Sequence, residues 1–319
     1  MDRSIAWTAA ADETLDNGFS PRGIVRCGDH VVFGSYLKAY AVTPRDGTRE
    51  WAWQPSQGGA LGYGVPVCDG NTVYFGTGAP MFVYAVDAVT GNEKWHASVA
   101  RANSTGGFAT TPQVSDGVVV ACTRDDVVPA TGMIAGIDAA TGATKWRFVW
   151  DPQPPSSESS CAVSVAAANG FAVGAADDGR IFGIDLQTGK LRWTAPKVPN
   201  WDYPRDERPV WIVDGVAIAG SGSGTVIGYD VSTGTQPWSS RDGSQFATVI
   251  IGPFVGDRGQ FIGVNSSGGS VAFDAQTGAR RWTLPPGSGL NQQKLFGPGV
   301  LTPSLFIAVG SDGLYAVNR

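Results

Sequence analysis

Apolar residues in this chain fall in short runs of about five, each bounded by Gly, Asp, Asn or Thr, which is the pattern of strands and turns rather than of helices. Between positions 64 and 97 the alternation predicts four strands: Gly64 to Cys68, Thr72 to Gly76, Phe82 to Asp87 and Glu93 to Ala97. Asp69-Gly70-Asn71 separates the first two, and a tight turn at Thr90-Gly91 separates the last two. Glycine supplies the positive φ that such hairpin turns need, and Asp and Thr side chains can bond the turn backbone. No apolar run approaches the roughly 18 residues of a membrane-spanning helix.

This four-strand pattern recurs. A nonapeptide frame, Asp-x-x-Thr-Gly-x-x-x-Trp, runs from Asp87 to Trp95, Asp138 to Trp146, Asp185 to Trp193, Asp230 to Trp238 and Asp274 to Trp282. A sixth copy, Thr43 to Trp51, keeps Gly47 and the tryptophan but puts Thr in place of Asp. Successive tryptophans are 44, 51, 47, 45 and 44 residues apart. A seventh copy starts at Gly313 and stops at Asn318 before its tryptophan; the missing strand is Ser4-Ile5-Ala6-Trp7 at the other end of the chain. Repeats of this length with four strands each read as propeller blades. The expected fold is therefore all-β: residues 1–319 as a single seven-bladed β-propeller domain of four-stranded blades, the ring closed by the N-terminal strand pairing with the C-terminal blade. Closure of that kind removes exposed sheet edges.

The frame, following strands such as Tyr84-Ala85-Val86, resembles the tryptophan-docking repeat of the pyrroloquinoline-quinone (PQQ)-like propellers. That superfamily includes the quinoprotein alcohol dehydrogenases and an outer-membrane-assembly scaffold lipoprotein. The resemblance spans the whole chain and implies that Trp7, Trp51, Trp95, Trp146, Trp193, Trp238 and Trp282 dock between blades as structural residues. It does not carry the cofactor over. The dehydrogenases are eight-bladed, and many hold an adjacent Cys-Cys ring against the quinone and Glu, Asn and Asp on Ca²⁺. Here no two cysteines are adjacent and no carboxylates have the spacing of a Ca²⁺ loop. No cofactor and no metal are expected. The scaffold relative is anchored through an N-terminal cysteine, whereas the first cysteine here is Cys27, inside the first repeat.

Composition narrows the partners. With 44 Gly and 20 Pro, 16% charged residues and a net charge of −5, the chain is neither a helical bundle nor a disordered tail, and it has no basic field for nucleic acid. Residues 1–7 hold no apolar signal core, so the expected location is the cytoplasm, or outside it if a leader has been removed. The four cysteines, Cys27, Cys68, Cys122 and Cys161, form no CxxC and read as buried free thiols. Of the two histidines, His30 is placed in a turn and His96 in a fourth strand, each structural or at the surface.

Candidate chemistry falls on the long connections between repeats, because long loops on a rigid scaffold carry function. The connections into the fourth and fifth repeats hold Glu158 and the run Trp201-Asp202-Tyr203-Pro204-Arg205-Asp206-Glu207-Arg208-Pro209. A funnel with aromatic walls and a few converging charges suits a small organic ligand. Glu158 or Asp206 would serve as general acid or base, and Tyr63 or Tyr203 would donate to a developing oxyanion. Arg22, Arg101, Phe108, Trp201, Arg205, Arg208, Arg241, Phe246 and Phe296 would line and anchor the ligand. The leading function is a ligand-binding propeller, with a cofactor-independent, non-redox enzyme of isomerisation, elimination or cyclisation as its catalytic form, in a biosynthetic or catabolic pathway. A protein-interaction scaffold is the alternative, and a PQQ-dependent dehydrogenase the least favoured. A monomer with no nucleic-acid or membrane partner is expected.

Overall fold

A computed structural model describes residues 5–9, 23–61, 64–104, 106–125, 132–150, 165–176, 179–196, 210–220, 225–241, 248–253, 259–265, 270–284, 300–302, 304–309 and 314–318. Among these residues every regular element is a strand, arranged in six four-stranded antiparallel sheets and one of five strands. No helix of the described residues is long and apolar enough to cross a membrane.

The chain divides into two compact units, Met1–Pro112 with Gln292–Arg319, and Gln113–Asn291. In the first unit, sheet one is built from Ile24–Cys27, His30–Gly34, Ala39–Val42 and Arg49–Trp53, and sheet two from Val67–Asp69, Thr72–Gly76, Phe82–Asp87 and Glu93–Ser98. Sheet seven is formed by Val300–Leu301, Leu305–Val309 and Leu314–Asn318, and the N-terminal strand Ile5–Ala9 completes it by pairing antiparallel with Leu314–Val317. In the second unit, four of the five strands of sheet three are Gln113–Ser115, Val118–Asp125, Gly132–Asp138 and Thr144–Trp150. Sheet four is Val165–Ala168, Phe171–Ala175, Ile181–Asp185 and Leu191–Thr194; sheet five is Trp211–Val213, Val216–Gly220, Thr225–Asp230 and Trp238–Arg241; sheet six is Thr248–Pro253, Gln260–Asn265, Ser270–Asp274 and Arg280–Leu284.

Burial explains the apolar runs. The second and third strands of each well-described sheet are covered on both faces: Val31, Val32, Phe33 and Gly34 are all buried, as are Ala39 through Val42. A strand covered on both faces loses its alternation and reads as a continuous apolar run, whereas the outer strand Glu93–Ser98 keeps only Ala97 fully buried. Successive sheets stack within each unit. Val32, Ala39, Ala41 and Trp51 of sheet one meet Val73, Phe75, Tyr84 and Val86 of sheet two. The opposite face of sheet one, Val31, Phe33, Tyr40 and Val42, meets Leu305, Ile307, Leu314 and Ala316 of sheet seven. In the second unit, sheets three and four share one core, four and five a second, and five and six a third.

The hairpins joining first and second strands use paired left-handed residues. Asn169 and Gly170 have φ of 54° and 77°, and Asp214 and Gly215 have 46° and 81°, the conformation that Asn-Gly and Asp-Gly tolerate best. Two expectations are corrected. His30 opens the second strand of sheet one instead of lying in the turn. Cys27 and Cys68 are not free thiols: they form a disulfide with Cα atoms 5.6 Å apart, while Cys122 is a buried free thiol and Cys161 lies outside the described residues. The 41 residues between the two cysteines hide their proximity in the linear sequence. Both lie in first strands of consecutive repeats. Facing residues of two sheets stacked in the same sense must differ by one in repeat frame, because adjacent side chains of a strand point to opposite faces. Cys27 pairs with the first residue of its second strand and Cys68 with the second residue of its own, so they satisfy that offset.

Candidate functional site

The most completely described polar surface is the set of Asp-x-x-Thr-Gly turns joining third and fourth strands. Asp87 Oδ1 accepts the N–H of Val89 (3.1 Å) and of Thr90 (2.9 Å) and the hydroxyl of Thr90 (3.1 Å). The same three contacts recur at Asp138, Asp185, Asp230 and Asp274 with their +2 and +3 neighbours. In the divergent copy the two side chains exchange places. Thr43 donates its hydroxyl to Asp46, and Asp46 accepts the N–H of Thr48 at 3.0 Å.

The second carboxylate oxygen meets a cation. Lys94 Nζ lies 3.1 Å from Asp87, Arg192 lies 2.6 Å from Asp185, and Arg281 pairs with Asp274. A shift in strand register places each of these cations. Ala85 pairs with Trp95 but Val86 pairs with Glu93, so Lys94 is skipped; Arg192 and Arg281 are skipped in the same way. Such a bulge re-aims one side chain, here back over the turn. Hydrogen bonds to the ionised form hold these carboxyls low. The Thr90 backbone, followed by Lys94 and the Thr90 hydroxyl, brings Asp87 down to about 2 against burial. The Arg192 and Arg281 guanidiniums, each followed by the turn threonine, bring Asp185 and Asp274 to about 2.

Each turn is also a docking socket. Trp51 donates its indole N–H to Ala88 O (2.9 Å), Trp146 to Leu186 O (2.8 Å), Trp193 to Val231 O (2.9 Å) and Trp238 to Ala275 O (3.0 Å), always in the following sheet. Trp7 does the same to Pro44 O at 3.1 Å, from sheet seven to sheet one. The ring then lies on the turn glycine: a Cβ on Gly91 would come 2.8 Å from Trp51, and one on Gly189 would come 2.6 Å from Trp146. Trp95 packs against Tyr74, and Trp282 is 36% exposed.

A second polar cluster lies in the first unit. Ser56 Oγ donates to Glu93 Oε1 (2.7 Å), and His96 Nδ1 meets the same oxygen at 2.8 Å. The imidazole stands edge-on to Phe82 and beside Tyr84. Tyr84 donates its hydroxyl to Gly58 O (3.0 Å) and accepts the N–H of Gln57 (3.1 Å), and burial pushes its phenol up to about 12. Burial raises the Glu93 carboxyl, but hydrogen bonds from His96 and Ser56 outweigh it and leave the group below its ordinary value. The trio of Ser, His and Glu is not a nucleophilic triad. Ser56 and Glu93 address the same ring nitrogen, whereas a triad needs the serine on one nitrogen and the acid on the other. Together Glu93 and Tyr84 clamp residues 56–58 onto sheet two. His30 and Glu50 form a comparable pair on sheet one at 2.5 Å.

Few of the residues expected at a ligand funnel fall within the described structure. Arg101 is half-buried, and its carbonyl accepts the N–H of Ser104 at 3.2 Å. Phe108 lies in the strand Gly107–Ala109, and Arg241 ends the strand Trp238–Arg241 opposite Thr225. Arg22, Tyr63, Glu158, Trp201, Tyr203, Arg205, Asp206, Arg208, Phe246 and Phe296 lie outside the described residues. Among the described residues no three His, Cys, Asp or Glu side chains group as metal ligands. The turn aspartates offer no bed for a quinone-bound cation, because their oxygens already accept two N–H groups, a hydroxyl and in three cases a cation. Sequence reasoning missed the Glu93–His96–Ser56 clamp; its one signal was a histidine three residues after a glutamate on an outer strand, which matches many unrelated surfaces.

The family described as outer membrane protein assembly factor BamB matches over residues 37–284 and 198–319. A quinohemoprotein alcohol dehydrogenase of Comamonas testosteroni is 30% identical over 166 residues, 49% of this chain and 23% of that protein. BamB of Yersinia pestis is 32% identical over 130 residues, 41% of this chain and 30% of its own. The chain thus spans under a third of the length of these curated relatives. The crystal structure of BamB from Moraxella catarrhalis superposes with a TM-score of 0.65 at 18% identity, covering 99% of both chains, and a computationally designed protein, Ika8, with 0.57 at 15%. Its repeat, its all-β sheets and these matches place the chain in the PQQ-like β-propeller superfamily, and it belongs to the family described as outer membrane protein assembly factor BamB.

Proposed function

We propose that this chain is a non-catalytic propeller scaffold that binds a protein partner, its sheets acting as the seven blades of one closed ring. The observation that carries the reading is the extent of the likeness. The BamB family match runs through the repeats to residue 319, and the M. catarrhalis BamB structure is matched along 99% of its length. The quinohemoprotein dehydrogenase of C. testosteroni is matched over only 23% of its length and BamB of Y. pestis over 30%, stretches that the shared repeat accounts for. The saturated turns support the same reading, since an acidic surface whose oxygens are already bonded is a rigid platform and not a reactive one. The Cys27–Cys68 disulfide supports an oxidising compartment outside the cytoplasm. The partner class that the family description points to is the outer membrane protein assembly machinery.

A small-molecule funnel using Glu158, Asp206, Tyr63 and Tyr203 rests on the sequence alone and is the rival outcome of the test. A photo-crosslinking residue is placed singly at the exposed positions Leu37, Val89, Val149 and Leu191 and at Trp201. The scaffold reading expects one discrete protein adduct from a subset of sites, and the purified pair should then bind saturably. Absence of an adduct at every site, with saturable thermal stabilisation by a small organic compound that Asp206→Ala abolishes, would replace the scaffold by the ligand-binding reading.

A further inference from the structure

The first strands of sheets one and two lie side by side, and the Cys27–Cys68 disulfide ties them together. The two sulfurs are not equivalent. Cys27 is 1% exposed and packs in the core with Val32, Trp53 and Phe75. Cys68 is half-buried in the strand Val67–Asp69, whose cover falls from half-buried to exposed along its three residues. That strand is held by only three residue pairs, with Thr72–Tyr74. The turn that follows is equally open: a Cβ at Gly70 would meet nothing within 4 Å. By contrast, Val65 upstream is anchored by its N–H on Thr111 Oγ1 at 3.0 Å and by packing against Gly23.

We infer that Cys27–Cys68 is a thiol–disulfide exchange site of fixed polarity, open to a dithiol reductant at Cys68 and closed at Cys27. A thiolate of the reductant attacks Cys68 Sγ, a new S–S bond forms between reductant and Cys68, and the Cys27–Cys68 bond breaks. Cys27 leaves as a thiolate and takes up the proton that the first reductant thiol released, because a bare thiolate is poorly solvated in an apolar core. The reductant's second thiol then attacks its own sulfur in the mixed disulfide. Cys68 is released as a thiol, and the reductant departs as a disulfide. A monothiol lacks this second step. Its mixed disulfide persists until Cys27 returns it or a second monothiol molecule resolves it, so monothiol reduction is slow and the adduct can be captured by acid quench, whereas a dithiol completes the reaction intramolecularly. Once cut, the strand Val67–Asp69 and its turn open locally, while the shared core of the two sheets, to which that strand adds only the half-buried Cys68, stays closed.

The experiment uses the full oxidised chain. A mass-tagged monothiol, glutathione, is used to trap the mixed disulfide, which peptide mapping should find on Cys68 at least about tenfold more often than on Cys27. Dithiothreitol should reduce the bond to completion under conditions where glutathione gives only the trapped adduct. Hydrogen exchange after reduction should accelerate in residues 66–71 and remain unchanged in the strands His30–Gly34 and Phe82–Asp87. In the variants, native-state maleimide labelling of Cys68 in Cys27→Ser should outpace that of Cys27 in Cys68→Ser by a similar factor. Adducts divided equally between the cysteines would overturn the inference. So would faster exchange throughout both sheets after reduction, which marks a purely structural cross-link.

Discussion

Replacing Gly189 by alanine tests tryptophan docking at a single atom. Gly189 has φ of +69°, and its missing Cβ would lie 2.6 Å from the Trp146 ring, far inside contact distance. Two costs follow. A left-handed alanine costs about 1 kcal/mol, and forcing a methyl group into a packed ring adds about 1–3 kcal/mol. Gly170 in the same sheet supplies the control, because its φ of +77° is similar but a Cβ there would meet nothing within 4 Å. Gly170→Ala should therefore cost about 1 kcal/mol and Gly189→Ala about 2–4 kcal/mol, a Tm loss of roughly 4–16 °C at about 2–4 °C per kcal/mol. Guanidinium titration followed by tryptophan fluorescence measures both. The decisive comparison is made in a Trp146→Ala background. With the ring gone, the penalty of Gly189→Ala should shrink to that of Gly170→Ala, a coupling of at least about 1 kcal/mol. An equal penalty with and without Trp146 would refute the docking account, because the strain would then reside in the turn backbone alone.

Other outcomes are expected from the same geometry. Asp87, Asp185 and Asp274 titrate near 2 when folded, below the ordinary value of 3.8, so the ionised turns stabilise the fold and that contribution is lost as pH falls from about 5 towards 2. Thermal melts should track that loss, and Asp185→Asn with Asp274→Asn should flatten it; a Tm independent of pH across this range would contradict the assignment. Tyr84→Phe removes a buried hydroxyl that serves both Gln57 N and Gly58 O, and should cost about 1–3 kcal/mol in equilibrium unfolding. Its phenol, at about 12, should stay un-ionised in an ultraviolet titration to pH ~11 that ionises exposed tyrosines at about 10. Removing residues 1–9 strips a strand from Leu314–Asn318 and takes Trp7 off Gly47, so the melting temperature should drop sharply and an aggregation-prone edge appear in light scattering. Arg192→Ala should change stability by under about 1 kcal/mol, since the guanidinium is half exposed; a larger loss would mean that the turn depends on its cation.

Local chemistry was readable along the chain because each repeat carries its own instructions. Glycines at fixed offsets set the left-handed turns, Asp and Thr bond the turn backbone beside them, and doubly buried strands such as Thr72–Gly76 and Phe82–Asp87 appear as apolar runs with clear ends. The incomplete last frame together with the orphan Ser4-Ile5-Ala6-Trp7 predicts the pairing of Ile5–Ala9 with Leu314–Val317, since a strand without neighbours in sequence must find them elsewhere. What lies between repeats was not readable, because it depends on which faces meet. Cys27 and Cys68 sit 41 residues apart in frames that differ by one residue, and only stacking of the two sheets turns that offset into a bond. Lys94, Arg192 and Arg281 looked like ordinary surface charges until a register shift at the tryptophan aimed them at the turn carboxylates. Ser56, Glu93 and His96 meet only because the segment after Trp53 crosses onto the next sheet. Period and turn type are properties of neighbours in sequence; facing, bulge aim and cross-sheet contact are properties of packing, and only the folded chain sets them.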